Sequence, residues 1–518
     1  MKKKLIASMA MAAAAVMVPA GIILAGNPFT DASKISGSGD WEAYKEDWNN
    51  IANDYTKLSI QPGADESQLN FAWYTEKADN NEATVYMGTD RDNLAKFTGS
   101  IQDVDKSLTG GTQYVANHVT VTGLVPGHTY YYKIVKNGAE SEINPYYFSK
   151  TDKVKFLLVG DPQIGASKGQ EQDGEKLSQN AGAADSAARN DSYSWNRTLS
   201  IASRYNSDLD FIISAGDQVN NTGKPKEEQY AGFLNSPVLR NIPLAATIGN
   251  HDSLNEDFKD HFYVPNATAN GETKAGGDYY YSYGDGLFIV LNTNNYNAAE
   301  HEATIKQAIA SDPDAVWRIV TIHQDIYGSG KDHSDTDGMI LRTQLTPIFD
   351  ANGIDVVLQG HDHTYSRSKL LYGDGQTHGK YQFNLNADGS DYDWDHAYNV
   401  ENGSAIALSP ADGDSAGRQA LDNFHSDNDC YSIDDFGNTN SVVNPKGILY
   451  ITANSATGSK YYSLISTQQD YVAVRSQNWL PSYSVCTMDS KNFTITTYQI
   501  TDEGKVEKLD EPFTIMKK

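Results

Sequence analysis

Five short apolar runs between residues 154 and 363 each end at side chains able to bind metal. Val154–Val159 leads into Gly160-Asp161-Pro162-Gln163, and Phe211–Ala215 into Gly216-Asp217. Leu244–Ile248 leads into Gly249-Asn250-His251-Asp252, Trp317–Ile322 into His323, and Ile354–Leu358 into Gln359-Gly360-His361-Asp362-His363. Stretches with helical spacing, such as Ser194–Tyr205 and Ala298–Ala310, lie between the runs. Strands alternating with helices predict parallel α/β units. Ligands gather beyond the carboxyl ends of such strands, so these runs deliver Asp, Asn, Gln and His to one edge. The glycines let the backbone turn tightly there. One Gly-Asp after a strand is usually a turn, and one His there is usually a structural hydrogen bonder. Five successive strand ends with oxygen and nitrogen donors need a further reason. His361 and His363, two apart in one turn, can face two adjacent sites.

The rest of the chain is organised differently. At 518 residues two or three domains are expected. Trp41–Tyr55 spaces Trp41, Tyr44, Trp48, Ile51 and Tyr55 as a helix that docks on a neighbour. From about 57 to 150, short runs such as Leu69–Tyr74, Ala83–Met87, His118–Thr122 and Tyr130–Val135 alternate with turns, predicting a β-sandwich. Residues 370–440 hold twelve Asp against Lys380 and Arg418, which predicts a long surface insertion. Asp388–Asp395 could hold Ca²⁺, but it lacks the EF-hand spacing and reads as a solvated loop. Gly447–Thr452, Tyr483–Met488 and Phe493–Ile500 read as strands completing a sheet.

Charge narrows the partners. The formal net charge of -26 repels nucleic acid and anionic membranes, so neither is an expected partner. It repels phosphate as well, so a phosphate site must carry its own local positive charge. Met1–Lys4 is basic and Leu5–Ala25 is apolar, which reads as a secretory signal. An uncleaved membrane anchor is the alternative. Either places the protein outside the cell, secreted or on the surface. Cys430 and Cys486 could form one bridge, which sequence does not decide.

Two resemblances follow from these residues. The order GD, GNHD, H, GHDH after a D-x-Q start is similar to that of the calcineurin-like metallophosphoesterases, over about residues 155–365. Leu124–Ile134 (LVPGHTYYYKI) resembles a fibronectin type III strand and turn, in which a Tyr closes the corner. A sandwich of this type in front of the phosphoesterase resembles the layout of purple acid phosphatases. The implied fold is an N-terminal fibronectin-III-like β-sandwich at 57–150. A four-layer α/β/β/α domain follows at 153–518, with the insertion 370–440. Residues 1–25 form the signal and 26–56 a linker and helix.

The resemblance implies a dinuclear site. Asp161, Gln163, Asp217 and His363 would hold one metal, and Asp217, Asn250, His323 and His361 the other. His251 would lie near the leaving-group oxygen, with Asp252 orienting its ring. The implied activity is hydrolysis of a small phosphate ester by hydroxide bound to the metals, with Fe, Mn, Zn or Mg as candidate ions. Two positions depart from the family pattern. Gln163 stands where the family has His, as ligand or as hydrogen bonder to one. Asn220 stands where purple enzymes have a metal-bound Tyr. Lys331 or His333, in the Gly-rich stretch Tyr327–His333, could face substrate. Arg367 reads as a structural ion-pair partner. A phosphodiesterase, a nucleotidase and a catalytically weak surface-binding protein remain the rival readings, and sequence leaves the oligomeric state open.

Overall fold

The computed structural model describes residues 40–167, 171–172, 175–176, 184–331, 333–334, 337–385, 392–407, 411 and 413–518. The expected signal 1–25, the linker up to residue 39 and the first half of the Asp388–Asp395 run lie outside these residues.

From residue 154 onward two mixed sheets pack face to face. Among the described residues, seven strands form the first. Its spatial order begins Leu244–Ala246, Phe211–Ser214, Val154–Val159, then Ser482–Met488 and Asn492–Ile500. Eight strands form the second. It begins Tyr279–Tyr283, Gly286–Val290, Trp317–Thr321, Val356–Gln359, Ile448–Thr452, Tyr365–Gly373. The first three strands of the first sheet are mutually parallel. So are the run from Gly286–Val290 to Ile448–Thr452 in the second. The five ligand-bearing strands therefore do not share one sheet: three lie in the first and two in the second.

Alternation along each strand explains the layering. Phe156, Leu158, Phe211 and Ile213 face Phe288, Ile319, Val356 and Leu358 across the shared core. Leu157, Val159 and Ile212 point the other way, onto Trp195 and Leu199 of the Ala184–Tyr205 helix. Val320 and Val357 likewise meet Ile305 of Ala298–Ser311 and Leu345 and Phe349 of Asp337–Ala351. Strands buried on both faces must be apolar throughout, which is why these runs are unbroken in sequence. The outcome is the expected α/β/β/α stack. The three C-terminal strands do not complete a single sheet, since Ile448–Thr452 joins the second and the other two the first.

The N-terminal part is a sandwich of antiparallel sheets. Leu69–Glu76 and Tyr114–Val121 centre one sheet, and Thr84–Asp90 and His128–Lys136 the other. The Tyr130 hydroxyl accepts the Val125 backbone N–H at 2.8 Å and closes the turn, as Leu124–Ile134 predicted. The Asp40–Ala52 helix docks through Trp41 and Trp48, and Tyr44 donates to Ser192 of the Ala184–Tyr205 helix.

The sandwich is fixed to the second domain by aromatic stacking around a buried ion pair. Tyr74 stacks on His261 at 4.3 Å and His118 on Tyr263 at 4.8 Å. His261 Nε2 lies 2.8 Å from Glu227, with both side chains buried. Two further carboxyls, Asp257 and Asp260, share this pocket. Burial first, and then the charge of Glu227, pushes Asp257 up to about 7. Burial also lifts Asp260 to about 7. A carboxyl whose folded pKa lies above its unfolded value near 3.9 keeps its proton longer when folded, so it weakens the fold as pH rises from about 4 to about 7. Asp257→Asn removes that ionisation. Its melting temperature by calorimetry should gain on the parent by about 2–4 °C between pH 5 and pH 8. An unchanged difference across that range would contradict this account.

The acidic insertion is narrower than 370–440. Leu370–Gly373 ends a strand of the second sheet and Tyr431–Asp434 pairs with it. Between them Tyr381–Leu385, Tyr392–Asn399 and Ala405–Ala407 form a small sheet beside the Ser415–Asp427 helix. Tyr381, Phe383, Ile406 and Phe424 form its core against Ile340. An abundance of Asp hid that apolar side. Cys430 and Cys486 are buried and free, one beside each main sheet, so no bridge joins them.

Candidate metal centre

The strand ends converge across the seam between the two sheets. The first sheet supplies Asp161, Gln163, Asp217 and Asn250, and the second His323, His361 and His363. Ligand atoms of Asp217, His323 and His361 lie within 4.8 Å of one another, and so do those of Asp161, Asp217 and His363. Asp217 is common to both groups. Asn250 Oδ1 is 3.0 Å from His323 Nε2 and so joins the first.

Backbone conformation shows how tightly these positions are determined. Ten non-glycine residues among those described have positive φ, and five are Asp161, Gln163, Asp217, His361 and His363. The left-handed region costs an L-residue about 1 kcal/mol or more and persists where surroundings enforce it. Two glycines are enforced in turn. A Cβ on Gly249 would sit 2.1 Å from Asp217 Oδ1, and one on Gly216 would sit 2.2 Å from His323 Nδ1.

Each histidine ligand is oriented from behind. His323 Nδ1 donates to the Ala215 carbonyl at 2.9 Å, and His363 Nδ1 to that of Lys460 at 2.8 Å. Both rings thereby turn Nε2, the nitrogen that would face a metal, toward the centre. The Asp161 carboxylate accepts the His361 backbone N–H at 3.0 Å, and Asp217 Oδ1 that of His251 at 2.9 Å.

Electrostatics reflect the crowding of charge. Burial, with the neighbouring Asp217 adding to it, pushes Asp161 up to about 8. Burial opposes a charge on His323, yet the carboxylates of Asp217 and Asp161 raise it to about 9. Gln163 tests the fit of a metal most directly. Its side chain is fully buried, and neither Oε1 nor Nε2 has a hydrogen-bond partner. Buried amides are normally satisfied, so an unspent carbonyl beside Asp161 fits a coordinating role. Carboxylate, amide and imidazole donors together suit Mn, Fe, Zn or Mg.

His251 stands at the opening, half-buried, with Nε2 3.9 Å from Asp217 Oδ2. The expectation that Asp252 orients this ring is corrected by the structure. His251 Nδ1 instead hydrogen-bonds the carbonyl of Asn220, the residue standing where purple enzymes have Tyr. Asp252 accepts from the Gly249 N–H at 3.0 Å and the Tyr230 hydroxyl at 3.2 Å. It holds the turn that carries Asn250 and His251. A fully buried carboxylate next to His251 in sequence was a natural candidate, but its side chain points into the fold.

Further loops close over the centre. In the Gly-rich stretch, His333 packs on His361 with ring centroids 3.7 Å apart, while Lys331 is exposed. Asp362 tethers that loop by accepting the Ser329 N–H at 2.8 Å. Arg367 turns away to pair with Asp510 at 2.6 Å, the structural role expected of it. Sequence reading missed a sixth strand end. Ile448–Thr452 runs into Ala453–Lys460, whose Thr457 and Ser459 hydroxyls donate to the Pro162 carbonyl at 2.7 and 3.1 Å. The signal was present as an apolar run ending in a small polar segment, but without an acid or His.

Comparison with known proteins agrees with this fold. Residues 154–365 match the calcineurin-like phosphoesterase family, and residues 56–152 match the purple acid phosphatase N-terminal domain. The chain therefore carries a calcineurin-like phosphoesterase domain behind a purple acid phosphatase N-terminal domain. An uncharacterized protein of Mycobacterium tuberculosis is 22% identical over 344 residues, 61% of this chain and 62% of the relative. The match thus spans less than two thirds of that relative's length. Purple acid phosphatase 22 of Arabidopsis thaliana is 24% identical over 269 residues, 49% of this chain and 54% of the relative. The purple acid phosphatase PPD1 from yellow lupin (Lupinus luteus) seeds superposes with a TM-score of 0.57 at 13% identity, covering 89% of this chain and 74% of that one. At that identity the likeness is one of fold.

Proposed function

We propose that this protein is an exported, two-metal phosphoesterase acting on small phosphate esters. The observation that carries the reading is Asp217, one buried carboxylate shared by two separate groups of acid and imidazole donors. Asp161, Gln163, Asp217 and His363 would hold one ion, and Asp217, Asn250, His323 and His361 the other. When bound, such a pair neutralises phosphoryl charge and lowers the pKa of coordinated water.

The chain's own residues do the rest. Asp161 and Asp217 fix the positions of charge by accepting backbone N–H groups, Asp161 from the His361 turn of the other sheet and Asp217 from the neighbouring His251 turn. Asn220 holds the His251 ring through Nδ1, leaving Nε2 to pass a proton to the departing alkoxide. His333 narrows the entrance beside His361. Phosphoryl transfer needs positioning and charge neutralisation more than covalent help, so no residue is assigned as a nucleophile. Met1–Ala25 supports export, and among the described residues no helix is long and apolar enough to cross a membrane.

Elemental analysis and turnover test this directly. The purified protein should carry about two metal ions. It should hydrolyse p-nitrophenyl phosphate or its bis-ester. Absence of both metal and turnover after loading with Mn, Fe, Zn and Mg would leave a binding protein instead.

A further inference from the structure

We propose that Lys226 is a positioning residue for His251, fixing the ring from which the leaving group would draw its proton. This rests on the phosphoesterase reading and adds to it a residue outside both donor groups.

Lys226 lies outside the strand-end pattern and is only 1% exposed. Its ammonium donates to the His251 backbone carbonyl at 2.8 Å. An ammonium taken out of water is costly unless it is hydrogen-bonded. Here the acceptor belongs to the residue given the proton transfer. His251 is thereby held at three points. Its N–H donates to Asp217 Oδ1, its carbonyl accepts from Lys226, and its ring Nδ1 meets the Asn220 carbonyl. The first two bonds fix the peptide planes on either side of the His251 Cα, and so the direction in which the ring leaves the backbone.

Asn220 and Lys226 are the two ends of one loop, whose middle, residues 222–225, is exposed. Gln229 closes that loop by accepting the Asn220 and Asn221 N–H groups at 3.0 and 2.9 Å. Lys226 is steadied from its other side. Glu227, the next residue, pairs with buried His261 at 2.8 Å and accepts the Tyr74 hydroxyl of the sandwich at 3.3 Å. Through these two residues the N-terminal sandwich bears on the turn that carries His251. Asp252 holds the start of the same turn by accepting the Gly249 N–H at 3.0 Å. Asn250, the metal donor there, keeps that support when Lys226 is removed. Loss of Lys226 frees the peptide after His251, so the ring drifts while the metals stay. A reacting group displaced by about 1 Å can cost about a hundredfold in rate.

The test uses the full-length, metal-loaded protein. Lys226→Met removes the donor and keeps the length of the side chain. Metal content and KM should match the parent. The kcat for an alkyl phosphate should fall about tenfold to a hundredfold. The kcat for p-nitrophenyl phosphate should fall several-fold less, since nitrophenolate leaves without a proton. In a His251→Ala background Lys226→Met should cost almost nothing further, because its effect runs through that ring. Lys226→Gln, neutral and with a shorter reach, should show the same selective loss, and it decides the matter if Lys226→Met does not fold. Equal losses on both esters, no loss on either, a loss that persists without His251, or loss of metal would overturn the proposal. A parent inactive on both esters would instead overturn the phosphoesterase reading, and Lys226 with it.

Discussion

Asp217→Ala is expected to strip the centre of both metals at once. The carboxylate belongs to both donor groups, so its loss takes one ligand from each. It also removes the acceptor that holds the His251 N–H. Metal content should fall to near background, and turnover should drop by roughly 10⁴-fold or more, since both charge neutralisation and water activation go together. Asn250→Ala touches only one group and should leave the other occupied. A protein that kept two metals without Asp217 would show that the two groups are not one centre.

His251→Ala separates chemistry from metal binding. The ring is no member of either donor group, so metal content should match the parent. Loss of general acid assistance is typically about 10²–10⁴-fold in kcat. The loss should be larger for an alkyl phosphate than for p-nitrophenyl phosphate, because nitrophenolate leaves readily without a proton. Equal turnover of the alkyl ester by variant and parent would remove the role assigned to His251. Asp252→Asn should behave differently. It loosens the turn under Asn250 and His251 and should lower metal affinity along with rate.

The strand ends were legible because each rule involved is local. An apolar run followed by Gly and a polar donor can be recognised at Asp161 or His361 without knowing any partner. The layering was legible for the same reason, since strands such as Phe211–Ser214 must be apolar on both faces. What escaped sequence reading depends on distant contacts. Whether five strands share one sheet or divide between two is settled by pairing, such as that of Trp317–Thr321 with Gly286–Val290. The partner of the His251 ring is a backbone carbonyl at Asn220, and any residue type could have supplied it. The sixth strand end escaped because its role comes from where Ala453–Lys460 is stitched, not from its spacing. The apolar face of the acidic insertion was masked by averaging over charge.

The division of ligands between two sheets also sets when the centre can exist. His361 donates to Asp161 across 200 residues of chain. No contiguous fragment ending before residue 361 contains a complete set for either ion. The loops must be brought together over long sequence separations, whose closure entropy has to be met before any ligand contact rewards it. Assembly of the site is therefore a late event in folding, and ions captured there would latch a chain whose halves have already met. A truncated or half-folded product would lack a complete set of donors, so competence for metal would itself be a readout of completed folding.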